Sequence, residues 1–269
     1  MNKQPQFSII TICYNSSTTI ERTIKSVLAQ TFTDYEYIIV DGGSKDSTVD
    51  IVKKYEPLFE GRMKWKSEPD KGIYDAMNKG IMRSSGDIIG IVNSDDWLEP
   101  DALENVAKKV ETTSNPLDTI YCGNLIFHYN DGTQLKRIAS EKRLERSAKT
   151  YDIGIFHPAT FVPKNIYDRL GIFDLQFKLN ADVDFILRCY QAGVHFVYVD
   201  AVLSNMSDGG ATNSGATAKE IADRKAVIQK HAKNSMDFYR VWIPYILKMY
   251  IKKYLPKRIS RKIRTQLDK

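Results

Sequence analysis

Three short apolar runs, at residues 7–13, 35–40 and 88–92, each stop at a polar cluster and give way to helical periodicity. Runs of that length, rich in Ile and Val, suit strands buried on both faces. After the first, Ser16 to Thr18 offer N-caps, and Ile20, Ile24, Val27 and Leu28 recur at helical spacing. After the second, Val49, Ile51, Val52 and Tyr55 do the same, and residues 64–66 and 73–84 add a further strand and helix. Strands alternating with helices imply right-handed βαβ units on a mainly parallel sheet. Ligands of such sheets bind beyond the carboxyl ends of the strands. The stops Tyr14-Asn15, Asp41 and Asp95-Asp96 are therefore expected on one rim.

The second half is less regular. Residues 120–129 read as a strand leading to a hairpin turn at Asn130-Asp131-Gly132, 182–192 as a helix ended by Gly193, and 195–199 as a strand. At 269 residues, 42% hydrophobic and 27% charged, the chain can bury a large core, as one domain with an appendage. Cys13, Cys122 and Cys189 lack paired or metal-ligand spacing and read as buried thiols in a reducing compartment. The polar start carries no signal-peptide pattern, and no apolar run reaches the roughly 18 residues that span a bilayer. A cytoplasmic body is expected.

The net charge of +6 is unevenly placed: nine basic residues and one acidic lie between Lys248 and the C-terminus, which leaves the rest slightly acidic. A slightly acidic body argues against a nucleic-acid binder. Over 244–255, Ile246, Leu247, Tyr250, Ile251, Tyr254 and Leu255 form an apolar face, with Lys248, Lys252 and Lys253 opposite. Pro256 ends it, and a second basic stretch follows with Ile259, Ile263 and Leu267. With Trp242 and tyrosines as interfacial anchors, this reads as a basic amphipathic segment on the inner face of a membrane. The alternative is that the stripe packs on the body or on a second subunit.

Adjacent carboxylates at Asp95 and Asp96 repel unless a cation lies beside them, and Mg²⁺ or Mn²⁺ with a diphosphate answers that. The alternative is a helix cap or a solvated turn. Asp41, before Gly42-Gly43, can accept from a base N–H, or simply shape a turn with Asp46 as N-cap. In the loop and helix from Ser67 to Gly80, Lys71 can meet a phosphate or stay solvated. Tyr74, Asn78 and Met82 share one helix side, and Tyr74 and Met77 also suit a core. Gly209-Gly210 suit a flap over a ligand, or an ordinary loop.

The succession SIITICYN, SVLAQTF, YIIVDGGSKDST, SEPDKGIYDAMNKGI, GDIIGIVNSDDW, HPATF and ADVDFILR resembles glycosyltransferase family 2 over residues 7–215. The charge and the apolar stripe make 216–269 a helical, basic, membrane-associating segment; the resemblance implies an α/β GT-A fold, Rossmann-like with flanking helices, in residues 1–215. It implies an inverting transfer from a nucleotide-sugar, a UDP-sugar, to a saccharide acceptor linked to polyprenyl diphosphate, with Mn²⁺ or Mg²⁺ as cofactor. It is most similar to bacterial enzymes of O-antigen, capsule or exopolysaccharide synthesis. Position by position, it implies that Asp41 binds the base beside Ile12 and Tyr14, and that Asp70, Lys71, Gly72 and Asn78 complete the nucleotide site. Asp95 falls near the ribose and metal, Asp96 on the metal itself, and His157 beside the acceptor or diphosphate.

Asp182 matches the catalytic base. Ala181 stands where the family usually has Glu, and Met77 where many members carry Arg, so Lys71 is the candidate for that charge. In a single displacement a carboxylate takes the acceptor proton, while the metal neutralises the leaving diphosphate. The alternative for Asp182 is an N-cap or a partner for Arg188, a duty that suits Asp184 better. His157 also suits a satisfied structural histidine. Two rival functions remain. A sugar nucleotidyltransferase needs a Gly-rich basic loop after the first strand, which Tyr14-Asn15-Ser16-Ser17 does not supply. A catalytically divergent family member would keep the fold without the turnover.

Overall fold

The run expected at 7–13 forms strand β1 (Phe7–Cys13), and every residue of it is buried. The computed structural model describes residues 4–208 and 217–254. After β1 come α1 (Ile20–Leu28), β2 (Tyr35–Asp41), α2 (Thr48–Tyr55), β3 (Met63–Ser67), α3 (Ile73–Arg83) and β4 (Ile88–Ile91). Next are β5 (Trp97–Leu98), α4 (Ala102–Glu111), β6 (Thr119–His128), β7 (Gln134–Arg137), α5 (Glu141–Ala148), β8 (Thr160–Pro163) and α6 (Lys164–Leu170). The order ends with α7 (Ala181–Gln191), β9 (His195–Ser207), α8 (Ala218–His231) and α9 (Ser235–Tyr254).

The strands form one sheet in the order β3-β2-β1-β4-β8-β6-β9-β5, with β7 paired to β6. The first four run parallel, as expected from the alternating pattern. Ile9 and Ile10 are fully shielded on opposite faces of β1, each burial favouring the fold by roughly 2 kcal/mol. The polar exceptions are satisfied: Ser8 donates to Glu36 at 2.7 Å and Tyr37 donates to Thr11 at 3.0 Å. Gly80 lets α3 lie against the sheet, since a Cβ there would meet Ile10 Cγ2 at 2.5 Å.

Beyond β4 the sheet is mixed, because β8 runs antiparallel between β4 and β6. The hairpin predicted around Asn130-Asp131-Gly132 is present as β6–β7. The strand expected at 195–199 continues to Ser207, pairing with β6 on both sides of an irregularity between Val199 and Ser204, and with β5 near its end. That extension carries Ser207 back to the Asp95-Asp96 turn.

The segment after residue 215 does not begin as a free appendage. Asp223, Arg224, Val227, Ile228 and His231 of α8 are buried against the body. The last helix starts at Ser235, well before the expected 244, and carries Pro244 in its interior. Trp242, expected as an interfacial anchor, is half-buried and stacks between Phe238 and Tyr245, with centroids 6.0 and 5.6 Å away. Gly209-Gly210 and everything from Leu255 onward lie outside the described residues.

Candidate active site

The polar stops meet, as the parallel order requires. Cys13 pairs with Asp41 and Asp41 with Ser67, so three strands end level. The loops beyond are tied together. Asn15 N–H donates to Ser44 Oγ and Lys45 N–H to Asn15 Oδ1, both at 2.8 Å. The Ser16 and Ser94 hydroxyls lie 2.8 Å apart. Together these loops border an open cleft of about 490 Å³, whose lining includes Ile12, Tyr14, Asp70, Gly72, Ser94 and Asp95. That volume suits a small organic ligand. Gly72, at φ 118°, supplies a conformation that other residues rarely adopt and starts α3 at the cleft wall.

Asp41 is placed differently from the role expected of it. It is 1% exposed, and its carboxylate accepts from Gly43 N–H at 3.1 Å, Ser44 N–H at 2.9 Å, Ser67 Oγ at 2.6 Å and the Ser44 hydroxyl. Burial alone raises its pKa, but the bonds from Ser44, Ser67 and Gly43 outweigh that and lower it. Asp41 thus organises the Gly42-Gly43-Ser44 turn from behind. Asp70 is the carboxylate on the cleft side: one oxygen accepts from Gly72 N–H at 2.8 Å. The other lies where a Cβ on Gly42 would come within 2.4 Å of it.

The Asp95–Asp96 pair is also divided. Asp95 lines the cleft. Asp96 is 1% exposed, accepting from Ser207 N–H and Asn93 Nδ2, each at 3.2 Å. Asp95 thus faces the cleft, and Asp96 is the more buried of the two. Burial and the neighbouring Asp95 push Asp96 up to about 7, and burial raises Asp95 as well. Two desolvated carboxylates short of positive charge fit a divalent cation. Among the described residues no cluster of three His, Cys, Asp or Glu forms a complete cage. A hard cation held by one or two carboxylates takes its other oxygens from diphosphate and water.

Arg22 was not anticipated. Its guanidinium stacks on Trp97 at 3.7 Å and donates to the Asp95 carbonyl at 2.6 Å and to Ser207 Oγ at 2.8 Å. Its sequence signal is no more than that of an ordinary exposed helix arginine. The expected Lys71 is exposed and does not line the cleft. Asn78 is spent elsewhere: its amide donates to and accepts from the Phe173 backbone at 2.8 and 3.0 Å, pinning α3 to a distant loop. Met82, expected beside Tyr74 and Asn78, is 65% exposed.

Asp182 sits in the first turn of α7, where Tyr74 Oη donates to its Oδ1 at 2.8 Å. The same oxygen accepts from Val183 N–H at 2.9 Å, which leaves Oδ2 for other work. Burial and the facing Asp182 hold the Tyr74 phenol well above its ordinary pKa, so it stays a donor. The loop before α7 is held from α8, where Asp223 accepts from Lys178 N–H, Leu179 N–H and Asn180 Nδ2. Arg188 goes to Asp184 at 2.9 Å, as expected, so Asp182 is free of it. His157 shares a narrow apolar slot with Asp182, Phe173 and Phe185. Burial lowers the pKa of its ring, and its Nε2 has no hydrogen-bond partner there. His157 and Asp182 thus line the same slot, and neither lines the cleft.

A profile of Glycosyl transferase family 2 matches residues 8–170, more than half of the chain. The chain belongs to that family. It is 35% identical over 199 residues to an uncharacterized glycosyltransferase of Mycobacterium tuberculosis, covering 70% of each chain. It is 29% identical over 227 residues to a PGL/p-HBAD biosynthesis glycosyltransferase of Mycobacterium bovis, covering 82% of this chain and 84% of that one. Its fold is that of S. aureus TarS residues 1–349, solved with UDP-GlcNAc, at a TM-score of 0.66 and 18% identity over 90% of this chain and 71% of that one. It covers 39% of a longer TarS chain. A mannosyltransferase from Pyrobaculum calidifontis, solved with GDP-Man and Mn²⁺, matches at 0.65 and 15% identity over 99% of this chain and 80% of that one. The GT-A fold expected from the sequence is thus the fold found. Asp182 lies beyond the residues that the family profile covers.

Proposed function

We infer that this glycosyltransferase moves a sugar from a UDP-sugar to a saccharide acceptor by a single inverting displacement, with Asp182 as base. One observation carries the reading: α3 lends Gly72 and Ile73 to the cleft wall while its Tyr74 holds Asp182. Donor cleft and base are thus one side chain apart. The neighbours solved with UDP-GlcNAc and with GDP-Man and Mn²⁺ support a nucleotide-sugar donor and a divalent metal.

In this reading Tyr14 and Asp70 flank the nucleobase, and Asp95 holds the metal from the cleft side with Asp96 behind it. When bound, the metal offsets charge on the departing diphosphate. Asp182 Oδ2 takes the proton of the acceptor hydroxyl as its oxygen bonds the anomeric carbon. The bond from that carbon to the diphosphate oxygen breaks on the opposite face, so configuration inverts. Tyr74 keeps Asp182 oriented without competing for the proton.

The acceptor we propose is a saccharide linked to polyprenyl diphosphate, met at the cytoplasmic face of the membrane during synthesis of a surface polysaccharide such as O-antigen or capsule. The basic C-terminus supports this. The deciding experiment is a screen of UDP-, GDP- and dTDP-sugars for Mn²⁺-dependent nucleotide release, with and without lipid-linked acceptors. UDP release stimulated by such an acceptor is expected. Release with GDP- or dTDP-sugars alone would overturn the UDP assignment, and indifference to added metal would overturn the metal role.

A further inference from the structure

Helix α9 is apolar on two faces, and only one of them is used. Phe238 and Val241 are buried, and Trp242 and Tyr245 stack beside them against α8. Arg224 and Lys225 of α8 lie over the Tyr245 and Trp242 rings at 5.7 and 6.0 Å. On the opposite side Met236, Tyr239, Ile243 and Leu247 follow one another at three- and four-residue steps, which places them in one row. They are 82%, 56%, 52% and 57% exposed. Isolated exposed apolar residues are ordinary, but a row along a helix that is already packed on its other side is a surface for something else.

We propose that this outward face of α9 lies in the interfacial layer of an anionic lipid bilayer, the row entering the acyl boundary. Charge selects that occupant. From Lys248 to the C-terminus the chain carries nine basic residues and one acidic, so the row leads directly into a strongly cationic stretch. An apolar row continued by cations matches an anionic headgroup layer over hydrocarbon, and repels a second copy of the same basic tail. Among the described residues no helix is long and apolar enough to cross a membrane, so contact would be lateral. The α8–α9 pair also reaches the catalytic side, since Asp223 of α8 holds the loop that enters α7. The surface would thus bring Asp182 near lipid-anchored acceptors. This last link rests on the function proposed above, whereas lipid binding itself does not.

The test is co-sedimentation of the full chain with vesicles of phosphatidylcholine alone and of equal parts phosphatidylcholine and phosphatidylglycerol. The variant carries Ile243→Ser with Leu247→Ser, and thermal unfolding confirms that it folds. Binding to the anionic vesicles is expected, with a loss of about tenfold or more in the variant and no change in metal-dependent nucleotide release in solution. No binding by the parent chain, or binding that the variant keeps, would overturn the proposal. A variant that turns a dimer into a monomer and binds vesicles unchanged would assign the face to self-association instead. Vesicle binding without any nucleotide release would sink the proposed function and leave the lipid surface standing.

Discussion

The two halves of the sheet solve the problem of building a site in different ways. In the parallel half, from β3 to β4, the residues that follow β1, β3 and β4 form the cleft wall. There, position along the chain and position in the site are the same thing. In the mixed half, β8 runs against its neighbours and β9 continues past its expected end. Its functional residues reach the site through contacts that span the chain: Tyr74 to Asp182, and Asp96 to Ser207. Local loops can carry ligand contacts, whereas the proposed base needs a helix held from elsewhere.

Substitutions in the two halves should therefore fail differently. The largest effect is expected at the cleft wall. Asp95→Asn should cut metal-dependent transfer by about 10³-fold while the fold survives. An equal loss in Asp96→Asn with none in Asp95→Asn would restore the order expected from the sequence. Next, Asp182→Asn should keep nucleotide-sugar binding, measured by calorimetry, and lose about 10²-fold in turnover. Turnover near that of the parent would remove Asp182 as base.

The mixed half should break through stability. Asp184 is fully buried, and although burial raises its pKa, the bonds from His231 and Lys230 hold it down to about 2. A carboxyl lowered in the folded state stabilises above its ordinary value near 4 and loses that contribution as pH falls toward 2. Asp184→Asn should cost about 3 kcal/mol near neutral pH, and chemical denaturation should show the gap closing in acid. A gap that stays constant with pH would mean that the charge is not what matters. The smallest effect is expected from Tyr74→Phe, a loss of roughly tenfold in kcat/KM with nucleotide-sugar binding unchanged, because Asp182 loses the donor that orients it. An unchanged kcat/KM would remove Tyr74 as the residue that positions Asp182.

The legibility of each half follows from the same contrast. The alternation of 7–13, 35–40 and 88–92 with helical segments was enough for the parallel sheet and its shared rim, because both periodicities are local properties of the chain. Tyr14 and Asp95 were legible as rim residues for that reason, whereas Asp70 and Gly72 became candidates only through the family resemblance. What each carboxylate does on that rim was not legible. Asp41 turns inward to donors on Cys13, Gly43, Ser44 and Ser67, and Asp96 accepts from Ser207, a residue more than a hundred positions away. Asn78 is taken by Phe173, Arg22 is recruited by Trp97, and α8 is drawn into the body by Asp223 and its apolar neighbours. The sequence by itself determined the parallel half of the sheet and its rim, since strand and helix patterns are readable one segment at a time. Only the tertiary structure decided which carboxylate faces the cleft, which tyrosine holds Asp182 and which side of α9 stays bare, because burial and hydrogen bonding depend on what the rest of the chain brings alongside.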